Sequence, residues 1–334
     1  TNMKAYEIYL KARELFIART DLAESVRLFE QVVAMDPEFA RGWEGLAAVT
    51  SIVESWGIDD RDYKAMVRPS AERALELDPT LSMAWAALGM NEQNIRTPDW
   101  AESLKLLDKA IAADPKNATA YLWRSIAWLN LGFFNKAIAD QDLCLRIDPA
   151  YKNCTRWKAQ SYIYVGDDEQ GLALFEQGVA AGFISNRAAG FVPAMVRKGN
   201  TLAARLLLDK VNVPAQLSAT LTNPDILQKA DRAVITKYVT SVNNQSGLVL
   251  SNPQLHLWLG DFDKVGELTE TGDSSNDQIL AWEPARPGWR NSAGFKLTLK
   301  KMGVLDYWRK FGFPAHCRAV GTDDFTCDQP RLVP

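Results

Sequence analysis

Histidine is nearly missing from this chain: among 334 residues there are two, His256 and His316, sixty positions apart. Neither belongs to a metal or nucleophile motif, and the sequence holds no GxxxxGK[ST] phosphate loop, no GxSxG elbow and no HExxH pair. Lys plus Arg number 38 against 41 Asp plus Glu, a net charge of −3, so the clustered cationic excess that tracks a phosphate backbone is absent and nucleic-acid binding is not expected. No apolar run reaches the ~18 residues that span a bilayer. Thr1-Asn2-Met3-Lys4 does not open a charged head and apolar core of the signal-peptide kind, so the chain reads as soluble, with a membrane reached only through flanking segments. Because it starts almost directly on a helical pattern, it reads as a possible fragment of a longer polypeptide. Apolar residues at 47% and charged residues at 24% carry no signature of disorder. The adjacent carboxylates Asp59-Asp60, Asp167-Asp168 and Asp323-Asp324 all fall at turns, where Asp caps helices or bonds its own backbone, and catalysis is not expected from them. The reading is of a non-enzyme with no cofactor.

What the chain does have is a beat. Asp36-Pro37, Asp78-Pro79, Asp114-Pro115 and Asp148-Pro149 each close a helical pattern just before another starts, and the last three prolines lie 36 and 34 residues apart. Proline cannot continue a helix and biases the residue before it away from helical geometry. A period near 34 residues is one two-helix unit stacked on copies of itself.

Within the units, small and bulky residues recur at matching places. Trp43, Leu46, Ala47, Ala74 and Pro79 mark the second unit; Trp85, Leu88, Gly89, Ala110 and Pro115 the third; Tyr121, Ser125, Trp128, Gly132, Ala137, Cys144 and Pro149 the fourth. Phe29 and Val32 belong to the first, and Ala159, Tyr162, Gly166 and Phe175 to a fifth that ends at Phe183 without its proline. Small residues let paired helices approach, and glycines such as Gly132 and Gly166 take the left-handed turn between them. This is the tetratricopeptide (TPR) pattern. The predicted fold is all-α, a TPR superhelical solenoid of stacked antiparallel helix pairs, with residues 1–183 forming five repeats. The extra residues between Pro37 and Pro79 centre on Glu54 to Asp60.

After Phe183 the rhythm weakens. Residues 184–294 read as degenerate helical repeats: Val192 to Lys198 and Leu202 to Val211 around Gly199-Asn200, a helix over Asp225 to Val239, and Pro253 to Leu259 followed by Gly260. Glu270 to Asp277 reads as a loop and Trp282 to Trp289, with Pro284 and Pro287, as irregular. Residues 295–334 read as a last helical stretch and a cysteine-paired tail.

Both ends resemble one family more closely. Ala5-Tyr6-Glu7-Ile8-Tyr9-Leu10-Lys11-Ala12-Arg13, leading through Ala23 and Phe29 to Asp36-Pro37, is similar to the first repeat of TPR regions in large bacterial regulators. So is the ending: Phe295, Leu299, Met302-Gly303-Val304-Leu305-Asp306-Tyr307-Trp308-Arg309, Gly312-Phe313-Pro314, Cys317 and Asp323-Asp324-Phe325-Thr326-Cys327. In that family such regions follow a winged-helix DNA-binding domain (the ToxR-like and CadC-like members), an adenylate-cyclase domain or a TolB-like domain. This chain holds no winged helix, membrane helix or cyclase motif. The resemblance implies a sensory or protein-binding module of such a regulator, periplasmic in the ToxR-like and CadC-like case and cytoplasmic in the other two.

The four cysteines form two pairs of equal spacing, Cys144 with Cys154 and Cys317 with Cys327. Two local disulfides, each closing a short loop, agree with an oxidising compartment. The alternative is that the helix-borne cysteines are small core residues of a reduced protein. Zinc fits less well, since the spacings are not those of paired CxxC knuckles.

For binding, the repeat register points at the inner side of the first helix in each pair. The candidate groove residues are Met90, Gln93 and Asn94; Leu122, Ile126 and Asn130; and Asn153, Arg156, Gln160 and Tyr164. Amides at Asn94 and Asn130 have the donors and acceptors to hold a peptide backbone or sugar hydroxyls. The alternative for each is a solvated polar face. The co-chaperone clamp for a terminal carboxylate is missing, because Tyr9, Arg13, Arg41 and Glu44 stand where its Lys and Asn would. The expected partner is a peptide or protein, with a small ligand enclosed by the irregular C-terminal half as the alternative, and a homodimer is possible. Trp43, Trp85, Trp123 and Trp128 are assigned to helix packing, while Trp56, Trp282 and Trp289 fall in irregular segments and serve either as surface groups or as buried anchors.

Overall fold

In the computed structural model, which describes residues 2–53, 61–95, 98–182, 186–223, 232–237, 252–269, 281–284 and 286–332, every Asp-Pro step ends a helix. Helices α2 (Leu22–Met35), α4 (Lys64–Leu77), α6 (Trp100–Ala113) and α8 (Phe134–Ile147) are closed by Asp36, Asp78, Asp114 and Asp148, whose φ angles of −142°, −150°, −142° and −134° leave the helical region. The last three aspartates also turn their carboxylates back onto the chain, accepting from the N–H two residues on at 2.9–3.0 Å. Aspartate is thus chosen twice over: it ends one helix before the proline and hydrogen-bonds the turn into the next. The inserted segment around Glu54 to Asp60, Trp56, Phe183, most of the helix expected over Asp225 to Val239, and the loop over Glu270 to Asp277 lie outside the described residues.

The chain divides into two compact units, residues 1–127 and 128–334. The first holds α1 (Met3–Ala18) with α2, α3 (Ala40–Val53) with α4, α5 (Ser82–Asn94) with α6, and most of α7 (Ala118–Asn130). These are stacked antiparallel TPR pairs. Gly89 shows why the pattern needs a small residue: a Cβ there would lie 2.7 Å from Leu107 Cγ and 3.1 Å from the Ser103 carbonyl. Trp43 and Trp85 are half-buried and repeat one device, their indole N–H donating to the Pro37 and Pro79 carbonyls at 2.9 and 3.2 Å.

The second unit holds α8, α9 (Lys152–Val165) and α10 (Asp168–Ala180), then α11 (Val192–Arg197), α12 (Thr201–Lys210), α13 (Ala215–Leu221), α14 (Asn252–Leu259), α15 (Phe262–Leu268), α16 (Ala293–Lys301) and α17 (Val304–Phe311). The weakened rhythm still makes helix pairs, with Gly199 and Gly260 at positive φ between α11 and α12 and between α14 and α15. The cysteine-paired tail is more regular than a short closed loop. Residues Cys317–Val320 (β1) and Asp324–Cys327 (β2) form an antiparallel hairpin in which Cys317 pairs with Cys327 and Gly321 turns the chain. Phe325 and Cys327 alternate inward along β2, the two-residue period of a half-buried strand.

Both expected disulfides are present: Cys144 with Cys154 across the α8–α9 turn, Cα atoms 6.4 Å apart, and Cys317 with Cys327 across the hairpin, 4.1 Å apart. Trp282 and Trp289 are buried anchors, at 0% and 1% exposure. Trp282 donates its N–H to the Asn130 carbonyl at 3.0 Å and Trp308 donates to the Leu131 carbonyl at 2.9 Å. Gly132, at φ 77°, lies so close under the Trp282 ring that a Cβ would sit 2.7 Å from Cζ2. Around these rings gather Phe134, Phe295, Phe325 and His316.

Candidate functional site

The ten candidate groove residues do not sit on an open face. Met90, Gln93, Asn94, Leu122, Ile126, Asn130, Arg156, Gln160 and Tyr164 are all buried, and Asn153 alone is half-exposed. In the first unit the amides brace neighbouring repeats: Asn94 Nδ2 donates to the Ser51 carbonyl and Gln93 Nε2 to the Trp123 carbonyl, both at 3.2 Å. Of Tyr9, Arg13, Arg41 and Glu44, the two arginines are exposed and Glu44 is structural in its bonding. Glu44 accepts the Met83 N–H at 2.9 Å in the first turn of α5, and burial pushes its carboxyl above the usual carboxylate range.

In the second unit, α9 carries three long polar side chains at four-residue spacing. Arg156, Gln160 and Tyr164 therefore line one face of the helix, and all are less than 10% exposed. The Arg156 guanidinium lies 4.2 Å from the centre of the Trp157 ring. Burial raises the Tyr164 phenol well above its ordinary value, the Glu283 carboxyl raises it further, and Arg156 opposes both. The Tyr164 carbonyl accepts from Arg290 Nη2 at 2.9 Å, and the same nitrogen reaches the Trp282 carbonyl at 3.1 Å.

Glu283, which sequence reasoning passed over, is the buried acid of this neighbourhood. It is 4% exposed, accepts the Trp258 indole N–H at 2.6 Å and Gln254 Nε2 at 3.4 Å, and burial pushes its pKa up to about 7 against the pull of those bonds and of Arg197. Arg197 grips Asp168 with two bonds of 2.8 Å and donates to the Pro284 carbonyl at 3.0 Å, fixing the segment that carries Glu283. Nothing in the motif Trp282-Glu283-Pro284 marks a buried acid. The only signal is a tryptophan two residues before a proline in an irregular stretch, which reads as an anchor and says nothing of the residue between them.

The cluster offers a protonated phenol, a guanidinium, an amide and a carboxyl that is half-ionised near neutrality, a set suited to hydrogen-bonding a polar group. Among the described residues no three His, Cys, Asp or Glu side chains gather as metal ligands, and no helix is long and apolar enough to cross a membrane. Burial, with Arg290 nearby, holds His316 neutral, its pKa down to about 4.

No protein-family model and no curated protein matches the chain. Among solved structures, the chain is similar to PilW, described as a widely conserved type IV pilus biogenesis factor, at 18% identity over 70% of this chain and 100% of that one, with a TM-score of 0.45. It is also similar to a thermophilic TPR protein of Thermus thermophilus, at 15% identity over 53% of this chain and 91% of the other, with a TM-score of 0.45. YrrB, a TPR protein with an unusual peptide-binding site, matches at 16% identity over 52% of this chain and 84% of its own, with a TM-score of 0.33.

Proposed function

We propose that this chain is a non-catalytic TPR interaction and sensor module working outside the cytoplasm, within a bacterial transcriptional regulator of the kind its two ends resemble. Its ligand is a peptide, a protein segment or a small polar molecule, taken up by the polar face of α9. One observation carries this reading. Arg156, Gln160, Tyr164 and Glu283 are buried together, at a desolvation cost that leucines in the same places would not incur. Sequences that break the rules of core packing do so chiefly at functional sites. The remaining candidates act in this reading each within its own unit, Met90, Gln93, Asn94, Leu122 and Ile126 in one and Asn130 and Asn153 in the other, by holding neighbouring helices in register.

The test is a random peptide library displayed on phage and selected against the oxidised chain, followed by calorimetry on the selected peptide. Arg156→Met and Tyr164→Phe should each weaken binding about tenfold or more while the melting temperature holds or rises; unchanged affinity in both would sink the α9 site. The extracytoplasmic assignment is supported by the two disulfides. Maleimide labelling of the denatured, unreduced protein taken from its native cells should find no thiols, and four reactive thiols would return the chain to the cytoplasm as a scaffold.

A further inference from the structure

Helix α1 packs one face into its repeat and leaves a second apolar line outside. Ala5, Tyr9, Ala12 and Phe16 are buried, whereas Met3, Tyr6, Leu10 and Ile17 are 72%, 42%, 46% and 54% exposed. At 3.6 residues per turn these four fall within one narrow stripe about 120° from the buried face. No described residue covers the stripe. It is also held in shape, because the Tyr6 ring lies against Tyr9 and Phe39, 6.1 and 6.3 Å between ring centres.

We infer that this stripe is a self-association surface, and that a second copy of the chain packs on it with the two α1 helices parallel. The charges beside the stripe choose both occupant and direction. Arg13 lies about 50° to one side of the stripe's centre and Glu14 about 50° to the other, and both are exposed. A two-fold axis running along the helices brings Met3, Tyr6, Leu10 and Ile17 against their own copies and sets each Arg13 beside the other chain's Glu14. An axis across the helices would set Glu14 beside Glu7 on one flank and leave Arg13 with no acid to meet on the other. The contact is small, four apolar side chains a copy against the roughly 800 Å² per partner of a standard interface, so the dimer is weak and concentration-dependent.

Sedimentation of the full chain from about 1 to 300 µM should show the mass rising from 37.2 kDa toward twice that value. Leu10→Arg should weaken association at least tenfold. Arg13→Glu and Glu14→Arg should each weaken it severalfold, and the two together should restore it. Direction is read by cross-linking. All four native cysteines are paired, so an added cysteine is the sole free thiol. Met3→Cys and Ile17→Cys, about 21 Å apart along the helix, should each oxidise to a covalent dimer on their own, and Lys4→Cys should not. A single-chain mass at every concentration, or a dimer indifferent to Leu10→Arg, overturns the surface. Cross-links formed only when the Met3→Cys and Ile17→Cys chains are mixed overturn the parallel arrangement. Circular dichroism on each variant confirms that the helices are intact, so lost association cannot be lost folding.

Discussion

In residues 1–127 the side-chain bonds that tie one helix pair to the next span about one repeat of sequence: Asn94 to Ser51 across 43 residues, Asn117 to Ser82 across 35, Gln93 to Trp123 across 30. In residues 128–334 the decisive bonds run from the C-terminal segments back to the fourth repeat and to α9, Trp282 to Asn130 across 152 residues, Trp308 to Leu131 across 177 and Arg290 to Tyr164 across 126. The first unit is therefore stabilised by neighbours, as a repeat array is. The second depends on a few aromatic and arginine anchors that close long loops. Damage to a neighbour contact should stay local, and damage to an anchor should not.

Trp282→Ala is the strongest way to break that contrast. It removes a fully buried indole, empties the space over Gly132 and leaves the Asn130 carbonyl without its donor. The expected loss is about 3–5 kcal/mol, read by denaturant unfolding, with amide protection falling in α14 to α17 as well as at the α7–α8 turn. Protection lost only beside residue 282 would mean that the second unit is as local as the first.

Glu283 and His316 separate the anchors by pH. The Glu283 carboxyl binds its proton more tightly folded, near pH 7, than unfolded, near 4.5. Its stabilising protonated form is thus fully present below about 4.5 and is lost as pH rises through 7, at a cost of at most about 3 kcal/mol. His316 runs the other way: its folded pKa of about 4 lies below the ordinary 6.5, so stability is lost as pH falls from 6.5 through 4. Glu283→Gln should flatten the loss between pH 4.5 and 7 and leave the acid limb alone. A melting-temperature profile that keeps its neutral-side slope in Glu283→Gln would show that the carboxyl is not buried as described.

Converting Cys317 and Cys327 to serine should cost about 2–3 kcal/mol, the chain-entropy value for a short loop, and loosen the hairpin whose Phe325 ring lies 5.3 Å from that of Trp308. In the first unit the matching test is Gly89→Ala, where the added methyl meets Leu107 and the Ser103 carbonyl. Overpacking there should cost about 1–3 kcal/mol, with protection reduced in α5 and α6 only.

The two regions also differ in how far sequence could be read. Asp78, Asp114 and Asp148 act within two residues of themselves, and Gly132 and Gly166 act at their own φ. A signal that local survives in one dimension, so the helix pairs, their turns and both short-range disulfides were legible. The register of α9 was legible as well, since four-residue spacing puts Arg156, Gln160 and Tyr164 on one face. Their burial was not, because what covers that neighbourhood, Glu283 held by Trp258 and Arg197, arrives from more than a hundred residues away through a segment with no period. The hairpin was missed for a different reason: Phe325 and Cys327 give only two inward positions, too few for alternation to show against a polar background.

One device is shared by both regions and sharpens the comparison by erasing it. Asp99 accepts the Glu102 N–H at 2.9 Å to start α6, and Asp167 accepts the Gln170 N–H at 3.1 Å to start α10. The geometry and the three-residue spacing match, and each bond satisfies one of the N–H groups that a helix start leaves without a partner. The two caps lie in different units, yet neither touches an anchor. Asp99→Ala and Asp167→Ala should therefore cost the same, about 1 kcal/mol each, and in combination the losses should add, since the two carboxylates bond different residues. If Asp167→Ala instead costs several times more than Asp99→Ala, the start of α10 carries strain from the Arg197 grip on its neighbour Asp168, and even the most local contacts of the second unit answer to its long-range anchors.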